Sequence, residues 1–136
     1  MVTIKFRGNK PFKKEGDAGW DITALFDETI GIQDRVLIRT GLYMEIPPGY
    51  FMDVRSRSGL ALKHGIQVLN SPGTIDSTYR GEVCVILYNA SDRVYKVSRG
   101  DKIAQLVLQK ETACEFVVGE LNDSSRGSNG FGSSGK

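Results

Sequence analysis

Residues 42–49 read Leu-Tyr-Met-Glu-Ile-Pro-Pro-Gly, and their order decides the fold class. Leu42, Met44 and Ile46 alternate with Tyr43 and Glu45, the period of a half-buried strand with its aliphatic side chains on one face. Pro47-Pro48-Gly49 then turns the chain. Outward from this stretch the same pattern recurs. "MVTIKFRG" at residues 1–8 alternates, and "VCVILY" at 83–88 is a continuous apolar run suited to a strand buried on both faces. "IAQLVL" at 103–108 is similar except for Gln105. Glycines at 8, 31, 41, 49, 59, 65, 73, 81, 100 and 119 punctuate these segments at intervals that mark an all-β sandwich or barrel. Only "SGLALKHG", 58–65, reads as a turn of helix. No internal repeat is evident.

The 136 residues suffice for one domain with a sizeable core. A formal charge of +2, with no basic run beyond Lys13-Lys14, argues against nucleic-acid binding. Cys84 and Cys114 both lie in apolar, strand-like stretches and read as buried free thiols, with a disulfide left open. The first residues contain no apolar signal-peptide core, and no apolar run is long enough to span a membrane, so a soluble, intracellular protein is expected. From about Glu120 the composition shifts to Asn, Asp, Ser and Gly, which divides the chain into a body, 1–119, and a tail, 120–136.

The tail contains a G-x-x-x-x-G-K string, Gly130 to Lys136. A phosphate-binding P-loop needs a buried strand before this string, then Ser or Thr and a helix after it. Residues 122–129 are polar and turn-rich, and neither Ser or Thr nor a helix follows, so that reading fails. A plain Gly/Ser linker would need neither the guanidinium of Arg126 nor the ring of Phe131.

Polar insertions interrupt the strand pattern. "AGWDITA" sets Asp21 between Trp20 and Ile22; an acid there is ordinarily a turn residue. "VRSRSGLA" places Arg55, Arg57 and Ser58 before Gly59, where guanidiniums, a hydroxyl and a helix start could form a phosphate site or simply a surface charge cluster. "NSPGTIDSTYRGEV" carries Asp76 beside Ile75, either a turn-former or a partly buried carboxylate placed to act as a base.

Taken in order, "AGWDITA", "RSGLA" (57–61), "GTIDSTYRGEV", "RGDKIAQLVL" (99–108) and "RGSNGFGSSG" (126–135) resemble the motifs of the trimeric deoxyuridine triphosphate pyrophosphatases, the dUTPases. The resemblance covers nearly the whole chain. It implies a jelly-roll-like β-barrel with a flexible Gly-rich C-terminal arm that closes over the nucleotide. The implied reaction is hydrolysis of dUTP to dUMP and pyrophosphate, which limits uracil in DNA and supplies dUMP for thymidylate synthesis. Asp76 would be the general base for a water attacking the α-phosphorus. Mg²⁺ would be held mainly by the triphosphate and by waters, with Asp21 reaching it through a water. Arg57, Ser58, Gly59 and Gln105 would contact the phosphates. The hairpin of Asn70, Gly73, Thr74 and Ile75 would read uracil, and Tyr79 would lie against the deoxyribose and exclude a 2′-hydroxyl. From the arm, Phe131 would stack on the base, Arg126 would reach the terminal phosphate, and Gly132 and Ser133 would follow the phosphate chain. The family is a homotrimer whose sites are shared between subunits.

Two departures from the family pattern stand out. Trp20 replaces a smaller aromatic, and Ser56 occupies a position often held by Pro, which predicts a less rigid turn before Arg57. His64 reads as structural or surface. The rivals are a dCTP deaminase relative, whose deaminating Glu is not matched here, and a regulatory protein that keeps the fold for partner binding.

Overall fold

The computed structural model describes residues 1–133 and 135. Lys136, the lysine of the G-x-x-x-x-G-K string, and Ser134 of the fifth motif lie outside the described residues.

The chain is built from antiparallel sheets. β1 (Lys5–Gly8), β4 (Arg35–Glu45), β8 (Glu82–Asn89) and β6 (Ile66–Val68) form one four-stranded sheet in the order β1-β4-β8-β6. β2 (Trp20–Thr23), β10 (Lys102–Lys110), β5 (Tyr50–Arg55) and β7 (Gly73–Ile75) form a second, in the order β2-β10-β5-β7. β3 (Glu28–Ile30) pairs with β9 (Tyr95–Val97) as a separate ribbon. Every named pair is antiparallel and most neighbours in a sheet are distant in sequence, the connectivity of a jelly-roll-like fold. Among the described residues the ladders do not close into one barrel; the curved layers remain separate sheets.

The layers meet in a single apolar core. Leu42, Met44 and Ile46 are buried while Tyr43 is half-buried and Glu45 exposed, as the alternation of 42–46 requires. Ile38, Val83, Val85 and Leu87 of the first sheet pack in the same cluster as Met52, Val54, Ile103 and Leu106 of the second. Each fully buried aliphatic side chain contributes about 1.5–3 kcal/mol relative to exposure. Asn89 is fully buried within this apolar setting, and its amide and carbonyl oxygen are bonded to Ile30 O, Arg93 O, and the N–H and hydroxyl of Ser91.

Two expectations need correction. The run 83–88 is not buried on both faces: Val83, Val85 and Leu87 point inward, whereas Cys84, Ile86 and Tyr88 are half-buried because no layer covers the outer face of β8 within one chain. Cys114 lies outside any strand and is exposed, and Cys84 is half-buried; both thiols are free. Of the two readings of Asp76, the structure bears out the turn-former: β7 ends at Ile75, and Asp76 is exposed in the turn that follows.

The expected helical turn exists as α1 (Ser58–His64), ended by Gly65 in the left-handed region at φ 65° with its N–H directed at the carbonyls of Leu60 and Ala61. His64, in the last turn, is exposed and its ring centroid lies 5.0 Å from that of Tyr95. Among the described residues, the last regular element ends at Lys110, and the Glu111 N–H donates to Gly49 O at 2.8 Å. Beyond Glu111 the hydrogen bonds of the described residues are all local, and Phe116, Val117, Val118 and Leu121 stand exposed.

Candidate functional site

Residues from three separated segments converge on one polar cleft. Asp21 on β2 faces Gln105 on β10 across the ladder, and Gln105 faces Arg55 on β5 on its other side. β5 runs through Arg55 into Arg57, whose extended backbone (φ −91°, ψ 131°) opens α1. Asp17, Gly19, Asp21, Arg57, Ser58, Gly59 and Gln105 therefore line a cleft of about 300 Å³. No side chain caps α1, so no capping oxygen occupies the first backbone N–H groups of its opening turn, where Ser58 and Gly59 line the cleft.

The cleft is charged and tightly referenced. Arg57 Nε lies 3.3 Å from Asp21 Oδ1, and Lys102 Nζ lies 3.6 Å from Asp21 Oδ2. The half-buried Asp21 carboxylate is thus held between two cations, which aim it into the cleft. Arg57 also donates to the Lys102 carbonyl at 3.3 Å. Gln105 donates through Nε2 to Ser56 O at 3.1 Å, and a Cβ placed on Gly19 would collide with Gln105 Oε1. Gly19 is a glycine because that amide occupies the space of its side chain. Ser56, expected to loosen the turn, instead tightens it: its hydroxyl accepts the Val68 N–H at 2.9 Å while its carbonyl accepts from Gln105.

The hairpin of the third motif forms a second cleft, of about 210 Å³, lined by Thr74, Ile75, Asp76, Tyr79, Glu82, Val83 and Cys84. Gly73, Thr74 and Ile75 pair with Val54, Asp53 and Met52, so the hairpin is an extension of the second sheet. Asn70 is exposed at its head, and its amide nitrogen would sit 3.4 Å from a Cβ at Gly73. After Asp76 the chain makes a turn closed by the Tyr79 N–H donating to Asp76 O at 3.1 Å. The Tyr79 hydroxyl donates to Glu82 O at 2.7 Å. Burial pushes the Cys84 thiol up from its ordinary range, and the neighbouring Glu82 charge adds to the effect.

The arm residues stand apart from both clefts. Asn129 N–H donates to Arg126 O at 3.2 Å and Arg126 Nε donates to Asn129 O at 2.6 Å, forming one small turn. Ser133 N–H donates to Gly130 O at 3.0 Å, forming a second that presents Phe131 at φ 52° with its ring fully exposed and Gly132 beside it.

One chain therefore gathers Asp21, Arg57, Ser58, Gly59 and Gln105 at one place, and Thr74, Ile75, Asp76 and Tyr79 at another with Asn70 and Gly73 in the same hairpin, and it holds Arg126, Phe131, Gly132 and Ser133 elsewhere. The two clefts share no lining residue. Lys102 and Glu82 were not anticipated. Lys102 lies inside "RGDKIAQLVL", just before the apolar run 103–108, and nothing local in the sequence marks the register shift between Lys102 and Ala104 or the approach of its Nζ to Asp21. Among the described residues no group of three or more His, Cys, Asp and Glu is placed to hold a metal by itself.

Comparison with known proteins places this geometry. A family model described as dUTPase matches residues 10–135. Over 128 residues the chain is 48% identical to a deoxyuridine 5'-triphosphate nucleotidohydrolase of Fusobacterium nucleatum, covering 92% of this chain and 88% of that one. It is 51% identical to the enzyme of the same name from Solibacter usitatus over 120 residues, covering 88% and 82%. Among solved structures, a mutant dUTPase of Staphylococcus bacteriophage 80alpha with dUpNHpp superposes with a TM-score of 0.87 at 25% identity, over 98% of this chain and 99% of that one. With fold, motif placement and relatives in agreement over nearly its whole length, this chain belongs to the dUTPase family.

Proposed function

We infer that this protein hydrolyses dUTP to dUMP and pyrophosphate. The observation that carries the reading is the convergence of Asp21, Arg57, Ser58 and Gln105 on one polar cleft, in a chain about half identical to named dUTP hydrolases. Arg57, the Ser58 hydroxyl, the first N–H groups of α1 and the Gln105 amide present donors to phosphate oxygens. The half-buried Gln105 amide is fixed by its bond to Ser56 O, which leaves its second N–H for a phosphate oxygen.

Asp76 takes a proton from a water whose oxygen bonds to the α-phosphorus. The bond from that phosphorus to the bridging oxygen breaks, and pyrophosphate leaves with the electron pair. General base catalysis of this kind contributes on the order of 10²–10⁴-fold. The remainder comes from positioning and from charge stabilisation of the triphosphate. The exposure of Asp76 in one chain fits a site completed by other parts of the assembly.

One carboxylate flanked by Arg57 and Lys102 suits an outer-shell contact to a strongly hydrated cation, so Asp21 would reach Mg²⁺ through a water while the phosphates hold the metal directly. When bound, Mg²⁺ neutralises charge on the phosphate oxygens. The backbone edge of Gly73–Ile75 and the Asn70 amide read uracil, too tightly to admit the thymine methyl. Tyr79 packs against the deoxyribose, so a ribose hydroxyl would be desolvated without a partner.

Residues 120–136 form the arm that closes on bound nucleotide, Phe131 stacking on the base, Arg126 reaching the terminal phosphate, and Gly132 and Ser133 bringing donors to the phosphate chain. Closure orders the arm and expels water from the site. The separation of the two clefts and the arm within one chain supports a homotrimer in which each site draws on several subunits. Among the described residues no helix is long and apolar enough to cross a membrane.

Pyrophosphate release with Mg²⁺ from dUTP, dTTP, dCTP and UTP tests the reading, with Asp76→Asn alongside. Release from dUTP alone, lost in the variant, is the expected result. No release from dUTP overturns the hydrolase, and equal hydrolysis of all four overturns the uracil and deoxyribose assignments.

A further inference from the structure

Tyr79 is held from behind by a residue that no step above uses. Its hydroxyl donates to the Glu82 carbonyl at 2.7 Å. Its ring lies so close to Gly81 that a Cβ there would fall 2.5 Å from the hydroxyl oxygen and 2.7 Å from the ring carbon bearing it. The pose of the ring is therefore set by where the chain enters β8.

Glu82 is the first residue of β8 and pairs with Tyr43, next to the point where the β4–β8 register slips between the Leu42–Val83 and Arg39–Cys84 pairs. A bulge interrupts the regular ladder, so backbone pairing alone holds this corner less firmly than the rest of the sheet. The Glu82 carboxylate spans the gap. It accepts Arg39 Nε at 2.9 Å and 3.2 Å through its two oxygens, and Oε2 also accepts the Gly41 N–H at 2.9 Å. The Glu82 side chain is only 14% exposed, and the Arg39 guanidinium lies 5.4 Å from the centre of the Phe26 ring. An acidic side chain with bonds to a guanidinium and a backbone donor on the facing strand makes a directional brace, stronger than neutral bonds would be.

We propose that Glu82 is a positioning residue for substrate selection: its carboxylate pins the start of β8 to the bulge of β4, and so fixes the carbonyl that orients the Tyr79 ring. The proposal rests on the reading of Tyr79 as the wall of the deoxyribose site. Loss of the brace leaves the strand in place through its other ladder bonds, but frees the corner and with it the ring.

The test is steady-state kinetics on dUTP and UTP for Glu82→Ala, Glu82→Gln, Tyr79→Phe and Tyr79→Ala. Glu82→Ala lowers the preference for dUTP over UTP by roughly two- to tenfold, the size of one net hydrogen bond, chiefly through KM for dUTP. Glu82→Gln, which keeps an acceptor of the same shape, recovers part of it. Tyr79→Phe cuts the same link from the other end, so combining it with Glu82→Ala costs little more than either alone. A Glu82→Ala protein with lowered stability but an unchanged dUTP-to-UTP ratio overturns the proposal, while a narrowed ratio in Tyr79→Ala still upholds the deoxyribose wall. An unchanged ratio in Tyr79→Ala removes both. Should Glu82→Ala fail to fold, Arg39→Met decides in its place: it removes the cation and spares the Gly41 bond, and an unchanged ratio overturns the proposal.

Discussion

Gly19 shows how a single residue couples two motifs. The space its side chain would fill is occupied by Gln105 Oε1, so Gly19→Ala must push the amide away from Ser56. About a tenfold or larger loss in kcat/KM for dUTP is expected, since displacements near 1 Å carry such costs. Gln105→Ala should show a similar loss, and a Gly19→Ala enzyme with unchanged kinetics would remove Gln105 from the phosphate site. The cysteines differ for equally local reasons. Cys114 is exposed, whereas Cys84 is half-buried with its thiol pushed up by burial. Iodoacetamide should label Cys114 first, and labelling of Cys84 should need a pH above the ordinary thiol range; peptide mass spectrometry reads the order. Because the folded state holds the Cys84 proton more tightly, its small contribution to stability is present below the unfolded thiol pKa and fades as pH rises through the folded one. Asp21 and Asp76 were legible as isolated acids in apolar surroundings, but not the partners that distinguish a functional acid from a turn residue. Lys102 and Arg57 reach Asp21 from segments 81 and 36 positions further along the chain (102 − 21 and 57 − 21).

Among the elements, β4 was readable because period-two alternation is a property of neighbours in sequence, and β10 because its apolar residues run on with only Gln105 between them. β8 was readable as a strand but not as one with a half-covered outer face, since coverage depends on what packs there. Asn89 at its end ties β8 to Ile30 of β3 and to the turn at Arg93. Asn89→Ala leaves those buried groups without partners and should cost about 2–4 kcal/mol, from the penalty for unsatisfied buried polar groups; urea denaturation with an unchanged m-value checks it. The arm makes the opposite case. Beyond Glu111 the described residues make only local hydrogen bonds within the chain, so ending the chain at Gly119 should leave the melting temperature nearly unchanged. The same truncation should lower kcat for dUTP on the order of 10²-fold, if closure supplies positioning and water exclusion. Calorimetry and pyrophosphate release together separate the two effects.

At the scale of the whole molecule, exposed Phe116, Val117, Val118 and Leu121 and the half-covered outer face of β8 leave apolar surface that a single chain does not bury. A homotrimer with shared sites makes a sharp prediction. Arg57→Ala damages the phosphate cleft and Asp76→Asn the hairpin cleft, and each variant should be nearly inactive alone. Mixed by co-refolding, the two should regain a measurable part of wild-type activity, because some sites then draw an intact half from each subunit. Sedimentation at the mass of three chains, without complementation, would keep the trimer and reject the shared site.

The sequence by itself determined the strand pattern, the one helical turn, the arm composition and the identity of the polar insertions, because periodicity, turn chemistry and residue type are written locally. Tertiary structure decided which insertions meet. It brought Asp21, Arg57, Ser58 and Gln105 into one cleft, kept the Asp76 hairpin in another, and set Glu82 behind Tyr79. Convergence of distant segments is a property of sheet register and of the bulges that shift it, and no local pattern of residues encodes where two strands far apart in sequence will slip by one residue.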